Sequence, residues 1–111
     1  MIRIHRLQSA KDFRVLFRLG HRRETNLFRL TALPNHLPYS RFAFIAPKTV
    51  DKRAVARNRL RRRCREWTRA HFSSPTHGMD IAIFFKQEAG RATKKEFYHS
   101  LTDLFRYHAE K

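Results

Sequence analysis

Apolar spacing along the chain alternates between the helical period and the strand period. Ser9-Ala10-Lys11-Asp12 has the form of a capping box and Gly20 offers a stop, so residues 10–19 read as a helix. On that helix Phe13 and Phe17 lie four apart on one side, and Val15 and Leu19 four apart on nearly the other. Such a helix either sits in the middle of a core or exposes one face, and in so short a chain the aromatic pair is a candidate for exposure. Residues 27–33 and 41–46 are β-rich runs separated by Pro34-Asn35-His36-Leu37-Pro38-Tyr39-Ser40, a pattern that predicts an antiparallel hairpin with a loose loop. Residues 52–72 read as one long helix, with Asp51 as a candidate cap. At about 100° per residue, Ala56, Leu60, Cys64, Trp67 and His71 form its apolar stripe, and Arg57, Asn58, Arg61, Arg62, Arg65 and Arg69 lie opposite.

A turn-rich stretch, residues 73–78, closes that helix, and Ile81-Ala82-Ile83-Phe84-Phe85 is the third obvious strand. Thr93-Lys94-Lys95-Glu96 is a strict capping box opening a last helix whose stripe is Phe97, Leu101, Leu104, Phe105 and His108. The order is α-β-β-α-β-α with no repeat or linker. Strand, helix, strand implies a crossover between parallel neighbours, for which the general rule gives a right hand. At 111 residues the chain is read as a single α/β (α+β) domain, residues 1–111, built as a two-layer sandwich.

Charge changes this picture most in the long helix. Residues 52–72 carry nine Lys and Arg against one acid, Glu66, a formal +8 of the chain's +16. A solvated surface helix ordinarily interleaves acids, because like charges four apart repel and opposite ones help. The series Arg57-Arg61-Arg65-Arg69 has no acid on it, so a partner must supply the negative charge, and Arg matches the planar, bidentate geometry of phosphate. With a pI near 11.5 the chain calls for a polyanionic partner.

Candidate chemistry within the chain is sparse. The nine acids (Asp12, Glu24, Asp51, Glu66, Asp80, Glu88, Glu96, Asp103 and Glu110) are dispersed, whereas protein-based metal hydrolysis needs converging carboxylates. The single cysteine, Cys64, lies on the apolar stripe and reads as a small buried hydrophobe. No Cys/His cluster has zinc spacing, and His71 and His108 sit on apolar sides where a partly buried ring is the ordinary outcome. The expectation is no catalytic side chain and no protein-held metal. The first residues lack the apolar centre of a signal peptide and no run is long enough to span a bilayer, so a cytoplasmic protein with no membrane partner is expected.

Arg57-Asn58-Arg59-Leu60-Arg61-Arg62, followed by Arg65-Glu66, resembles the Arg-Asn-Arg signature of the bacterial ribonuclease P protein family. The resemblance extends to Asp12-Phe13, Phe17 and Gly20 in the first helix, to residues 41–48 and 80–86, and to Glu96 with Leu101, Leu104 and Phe105, in the right order over residues 6–106. It implies a ribosomal-protein-like fold with a left-handed βαβ crossover, against the general rule. It implies further that a large RNA subunit, using Mg²⁺, hydrolyses the phosphodiester joining the 5′ leader of precursor tRNA to the mature tRNA. The protein then supports the reaction by binding RNA, with no further protein partner required.

Carried over by that resemblance, Arg57, Asn58, Arg59, Arg61, Arg62 and Arg65 are RNA contacts, with Lys48 and Lys86 at the edge of a central cleft. Phe13 and Phe17 fall on the cleft wall that receives the leader. The chain departs from the family where Gly is frequent and Ala43 stands, where two Lys are usual and Lys48-Thr49 stands, and where an aromatic is usual and Thr31 stands. The alternative function is a ribosomal or RNA-chaperone-like protein with no processing role. A major-groove DNA reader is disfavoured, because the basic helix lies between strands and has no dimerising heptads.

Overall fold

The structure, a computed structural model, describes residues 4–72 and 78–109, with side chains described as far as residue 106. The turn-rich stretch 73–77 and the side chain of His108 lie outside the described residues. In chain order the elements are β1 (His5–Arg6), α1 (Ala10–Leu19), β2 (His21–Glu24), β3 (Phe28–Pro34), β4 (Arg41–Ile45), α2 (Ala54–His71), β5 (Met79–Phe85), a 3-10 turn (Gln87–Gly90) and α3 (Lys94–Ala109). The strands form one sheet in the order β1-β4-β5-β3-β2.

The expected hairpin between residues 27–33 and 41–46 does not form. β5 lies between the two strands, antiparallel to β3 over seven residue pairs and parallel to β4 over five. The physical reason is β5 itself: its Ile81, Ala82, Ile83 and Phe85 are all buried, so both its faces and both its edges need covering, and only the centre of the sheet provides that. The loop 35–40 leaves room by turning on Asn35, whose Oδ1 accepts from the Leu37 N–H (2.9 Å) and whose Nδ2 donates to Asp80 Oδ1 (2.9 Å). The parallel pairing expected across the basic helix is present between β4 and β5.

Two strands carry no sequence signal. β2, His-Arg-Arg-Glu, has no apolar alternation; it is an edge strand, where charge blocks further pairing, and it zips onto β3 from His21↔Ala32 to Glu24↔Arg29. β1 adds two residues parallel to β4 at the other edge.

Period-two alternation then sorts the sheet into two faces. Phe28, Leu30 and Ala32 of β3, Phe42 of β4, and Ile81, Ile83 and Phe85 of β5 form the main core with Leu60, Cys64 and Trp67 of α2 and Phe97, Leu101, Leu104 and Phe105 of α3. Phe28 meets Phe85 and Phe97 edge-on at 5.3 and 5.1 Å, the geometry that ring quadrupoles favour. The expected stripes of α2 and α3 supply these contacts, with one correction: His71 is exposed, its ring stacked on Trp67 at 4.5 Å, while Thr68 takes the buried place by donating to the Cys64 carbonyl (2.8 Å). On the opposite face α1 covers a smaller cluster of Leu16, Phe13, Leu33, Ala43, Ile45 and Ala82.

Candidate nucleic-acid interface

The helix α1 is fixed at both ends by what its sequence offers. Ser9 Oγ accepts from the Asp12 N–H (3.4 Å) at the start, and the Gly20 N–H donates to the Leu16 carbonyl (2.8 Å) at the end. Gly20 is extended (φ −73°), so its need is space: a Cβ there would lie 2.5 Å from the Leu16 carbonyl oxygen and 2.7 Å from Thr31 Cγ2. Thr31, whose methyl group makes that close approach, is buried beneath the helix end. Leu16, fully buried, anchors the helix, flanked by half-buried Phe13, whereas Leu19 is 57% exposed, so the core side runs between the two apolar sides seen in the sequence. Phe13 and Phe17 stack with centroids 5.9 Å apart, Phe13 half-buried against the sheet and Phe17 42% exposed.

A bridge of charges holds α1 to the sheet. Arg41 of β4 donates to both carboxylate oxygens of its register partner Asp80 (Nε–Oδ1 2.8 Å, Nη2–Oδ2 2.7 Å) and reaches Asp12 of α1 with Nη1 (3.2 Å). The fork-to-fork geometry holds the guanidinium pKa above its ordinary value, first through the Asp80 hydrogen bond. Sequence reading marked Arg41 only as part of a strand. Alternation places half-buried Phe84 and Ile45 on the same sheet face as Ala82 and Ala43, with Arg29 over the Phe84 ring at 5.8 Å. The signal for Arg29 and Phe84 existed only in the register Arg29↔Phe84, which depends on β5 lying beside β3.

Lys48 and Lys86 lie just beyond the same ends of the adjacent parallel strands β4 and β5. Lys48 is exposed on a turn closed by the Val50 N–H on the Pro47 carbonyl (3.0 Å). Lys86 is tied down: its ammonium donates to the Thr25 carbonyl (2.5 Å) and pairs with Glu24, and this pairing is the main cause of a lowered Glu24 pKa.

The basic helix α2 begins at Ala54, with Arg53 in the cap position, so Asp51 is not its N-cap. Standing two residues before that position, the Asp51 carboxylate meets the Arg53 N–H (2.9 Å) and guanidinium (3.1 and 3.0 Å), which brings its pKa down to about 2. The cations on α2 then divide. Arg57 Nη1 donates to the Asp51 and Lys52 carbonyls (2.9 and 3.0 Å), and Arg61 reaches the Ala46 carbonyl (3.5 Å) and Asn58 Oδ1, so this row also braces the loop before the helix. Asn58, Arg59 and Arg62 are exposed and Arg65 is half-buried. The lone acid, Glu66, is held by Arg69 through both oxygens (2.7 and 2.8 Å). Cys64 is fully buried and burial pushes its thiol pKa up, which suits packing and opposes nucleophilic chemistry.

Among the described residues no group of three or more His, Cys, Asp or Glu is placed to hold a metal ion. Among the same residues no helix is long and apolar enough to cross a membrane. An α/β sheet flanked by a helix dense in arginine with a single, already paired acid has the character of a nucleic-acid-binding protein.

The family model described as Ribonuclease P matches residues 1–109, and the chain belongs to that family. It is 34% identical over 103 residues to the ribonuclease P protein component of Chromobacterium violaceum, covering 93% of this chain and 84% of that one. It is 36% identical over 84 residues to the corresponding component of Fusobacterium nucleatum, covering 76% and 75%. Its fold matches the ribonuclease P protein of Staphylococcus aureus with a TM-score of 0.85 at 23% identity, covering 96% of both chains, and that of Thermotoga maritima with 0.77 at 24% identity, covering 92% and 96%. The protein therefore takes part in an endoribonuclease complex of tRNA processing with an RNA partner, and the ribosomal or chaperone-like alternative is not favoured.

Proposed function

We propose that the protein is the non-catalytic subunit of a cytoplasmic ribonucleoprotein that removes the 5′ leader of precursor tRNA, with the active site in the ribonuclease P RNA subunit. The observation that supports this reading best is the cationic face of α2, whose one acid is already neutralised by Arg69. Arg57, Arg61, Arg62 and Arg65, joined by Arg59 and Asn58, bind phosphates of the RNA subunit and release its counterions, which lets two polyanions approach one another. Mg²⁺ held by the RNA supplies the activated water and charge stabilisation for hydrolysis. Phe13 and Phe17 grip the leader by stacking on its unpaired bases, with Phe84 and Arg29 as the adjoining floor and Lys48 beside it. Lys86, held by Glu24 and Thr25, shapes the strand end and adds field rather than a free phosphate contact.

Reconstitution tests the reading. The purified protein, added to a bacterial ribonuclease P RNA and precursor tRNA at low Mg²⁺, is expected to restore 5′ processing that neither component shows alone. Cleavage by the protein after removal of all contaminating RNA, or no stimulation of the RNA, overturns it.

A further inference from the structure

On the face of α2 turned toward α3, away from the sheet face that carries α1, an open groove of about 830 Å³ is lined by Arg59, Arg62, Trp67 and His71 on one side and Lys94 and Tyr98 on the other. We propose that this groove extends the RNA-binding face of α2 onto α3, with His71 and Tyr98 taking unpaired bases of the RNA subunit and Lys94 joining Arg59 and Arg62 on the flanking phosphates. The inference rests on the reading of an RNA subunit as partner and deepens it.

Three features carry the argument. The lining is cationic beyond what the protein neutralises: Arg59, Arg62 and Lys94 are exposed, while the only acid, Glu66, is already closed by Arg69 through both oxygens. The groove also holds ordered rings. His71 stacks on Trp67 at 15° between planes, and its Nδ1 lies 2.9 Å from the Trp67 carbonyl, which can only accept, so Nδ1 carries the proton and the ring is locked in place. Tyr98 is 37% exposed, its ring edge-on to that of the adjacent, buried Phe97 at 6.0 Å. Last, Arg63 places its guanidinium over the Phe97 ring at 5.1 Å and so adds positive potential from the groove floor without leaving the core edge. Flat rings beside forked cations recognise splayed single-stranded bases; a regular A-form duplex keeps its bases stacked out of reach of such rings.

Two substitutions in the holoenzyme reconstituted from the full chain and a bacterial ribonuclease P RNA test this. Tyr98→Ala removes an exposed ring. Lys94→Glu reverses charge at the first residue of α3, where an acid suits the helix N-terminus, so its fold is not endangered. Each is expected to raise the Kd for the RNA subunit about fivefold or more, as loss of one stacking or phosphate contact requires, with unchanged preference for leader-bearing over leaderless tRNA. Wild-type affinity in Lys94→Glu, or a loss confined to leader-bearing substrate, overturns the proposal. If the unsubstituted protein fails to bind the RNA, the reading under Proposed function has failed instead.

Discussion

Phe17 and Phe97 are chemically identical side chains whose surroundings give them opposite roles. Phe97 is fully buried among Phe28, Phe85 and the Arg63 guanidinium, so Phe97→Ala is expected to destabilise by about 3 to 5 kcal/mol in urea denaturation. Phe17, 42% exposed and supported mainly by Phe13, is expected to lose on the order of 1 kcal/mol or less when truncated. Phe17→Ala should instead weaken holoenzyme affinity for leader-bearing precursor tRNA and leave mature tRNA nearly unaffected. A large fall in melting temperature with no leader-dependent change would return this ring to a packing role. The arginines divide in the same way. Arg62→Ala is expected to leave stability within about 0.5 kcal/mol of wild type and to reduce the log-log salt slope of RNA binding by about 0.7 to 0.9. Arg57→Ala should lower both stability and slope, because it also loses hydrogen bonds to the Asp51 and Lys52 carbonyls. Equal melting curves for the two variants would contradict that distinction.

The element to which the proposed function assigns the leader is α1, and few contacts hold it. One fully buried residue, a bidentate Arg41–Asp80 pair extended to Asp12, and close approach at Gly20 fix its position. Asp12→Asn leaves Arg41 on Asp80 but removes the ionic half of the link to the helix. For a pair this solvent-accessible the expected loss is about 1 kcal/mol or less, with hydrogen exchange accelerated in α1 and unchanged in α2 and β5. Gly20→Ala should act through the same element more severely, costing about 1 to 3 kcal/mol, because the helix end must lift from Thr31 to admit a methyl group. Uniform acceleration of exchange in Asp12→Asn would show that α1 is not a separable unit.

At the scale of the molecule, a net charge of +16 on 111 residues opposes compaction. Added salt, and short polyanions more strongly, are therefore expected to raise the melting temperature; a fall between low and physiological ionic strength would contradict this. Acid should act in the opposite direction. The carboxylates of Asp51, Glu24 and Glu96 are all held below their ordinary pKa by hydrogen bonds or paired cations in the folded protein. A depressed folded pKa contributes stability that is present above the unfolded value and lost as pH falls through the folded one. For Asp51 that window runs from 3.8 down to about 2. Thermal melts from pH 5 to pH 2 should show the decline, reduced in Asp51→Asn.

Much of the candidate site was legible in the sequence because its signals are local. The acid-free arginine series of α2 and the four-residue aromatic pair of α1 follow from helical periodicity, and the Thr93–Glu96 capping box is present with reciprocal bonds of 2.8 and 3.1 Å. The tertiary structure alone decided which strands are neighbours, because alternation shows what a strand buries and not what lies beside it. That choice removed the expected hairpin, put β5 at the centre, recruited the charged edge strand β2, and brought Arg29 over Phe84 and Arg41 onto Asp80. It also split the arginines of α2 between a loop brace and an open groove against α3, since spacing on one helix cannot say which neighbour each side chain meets.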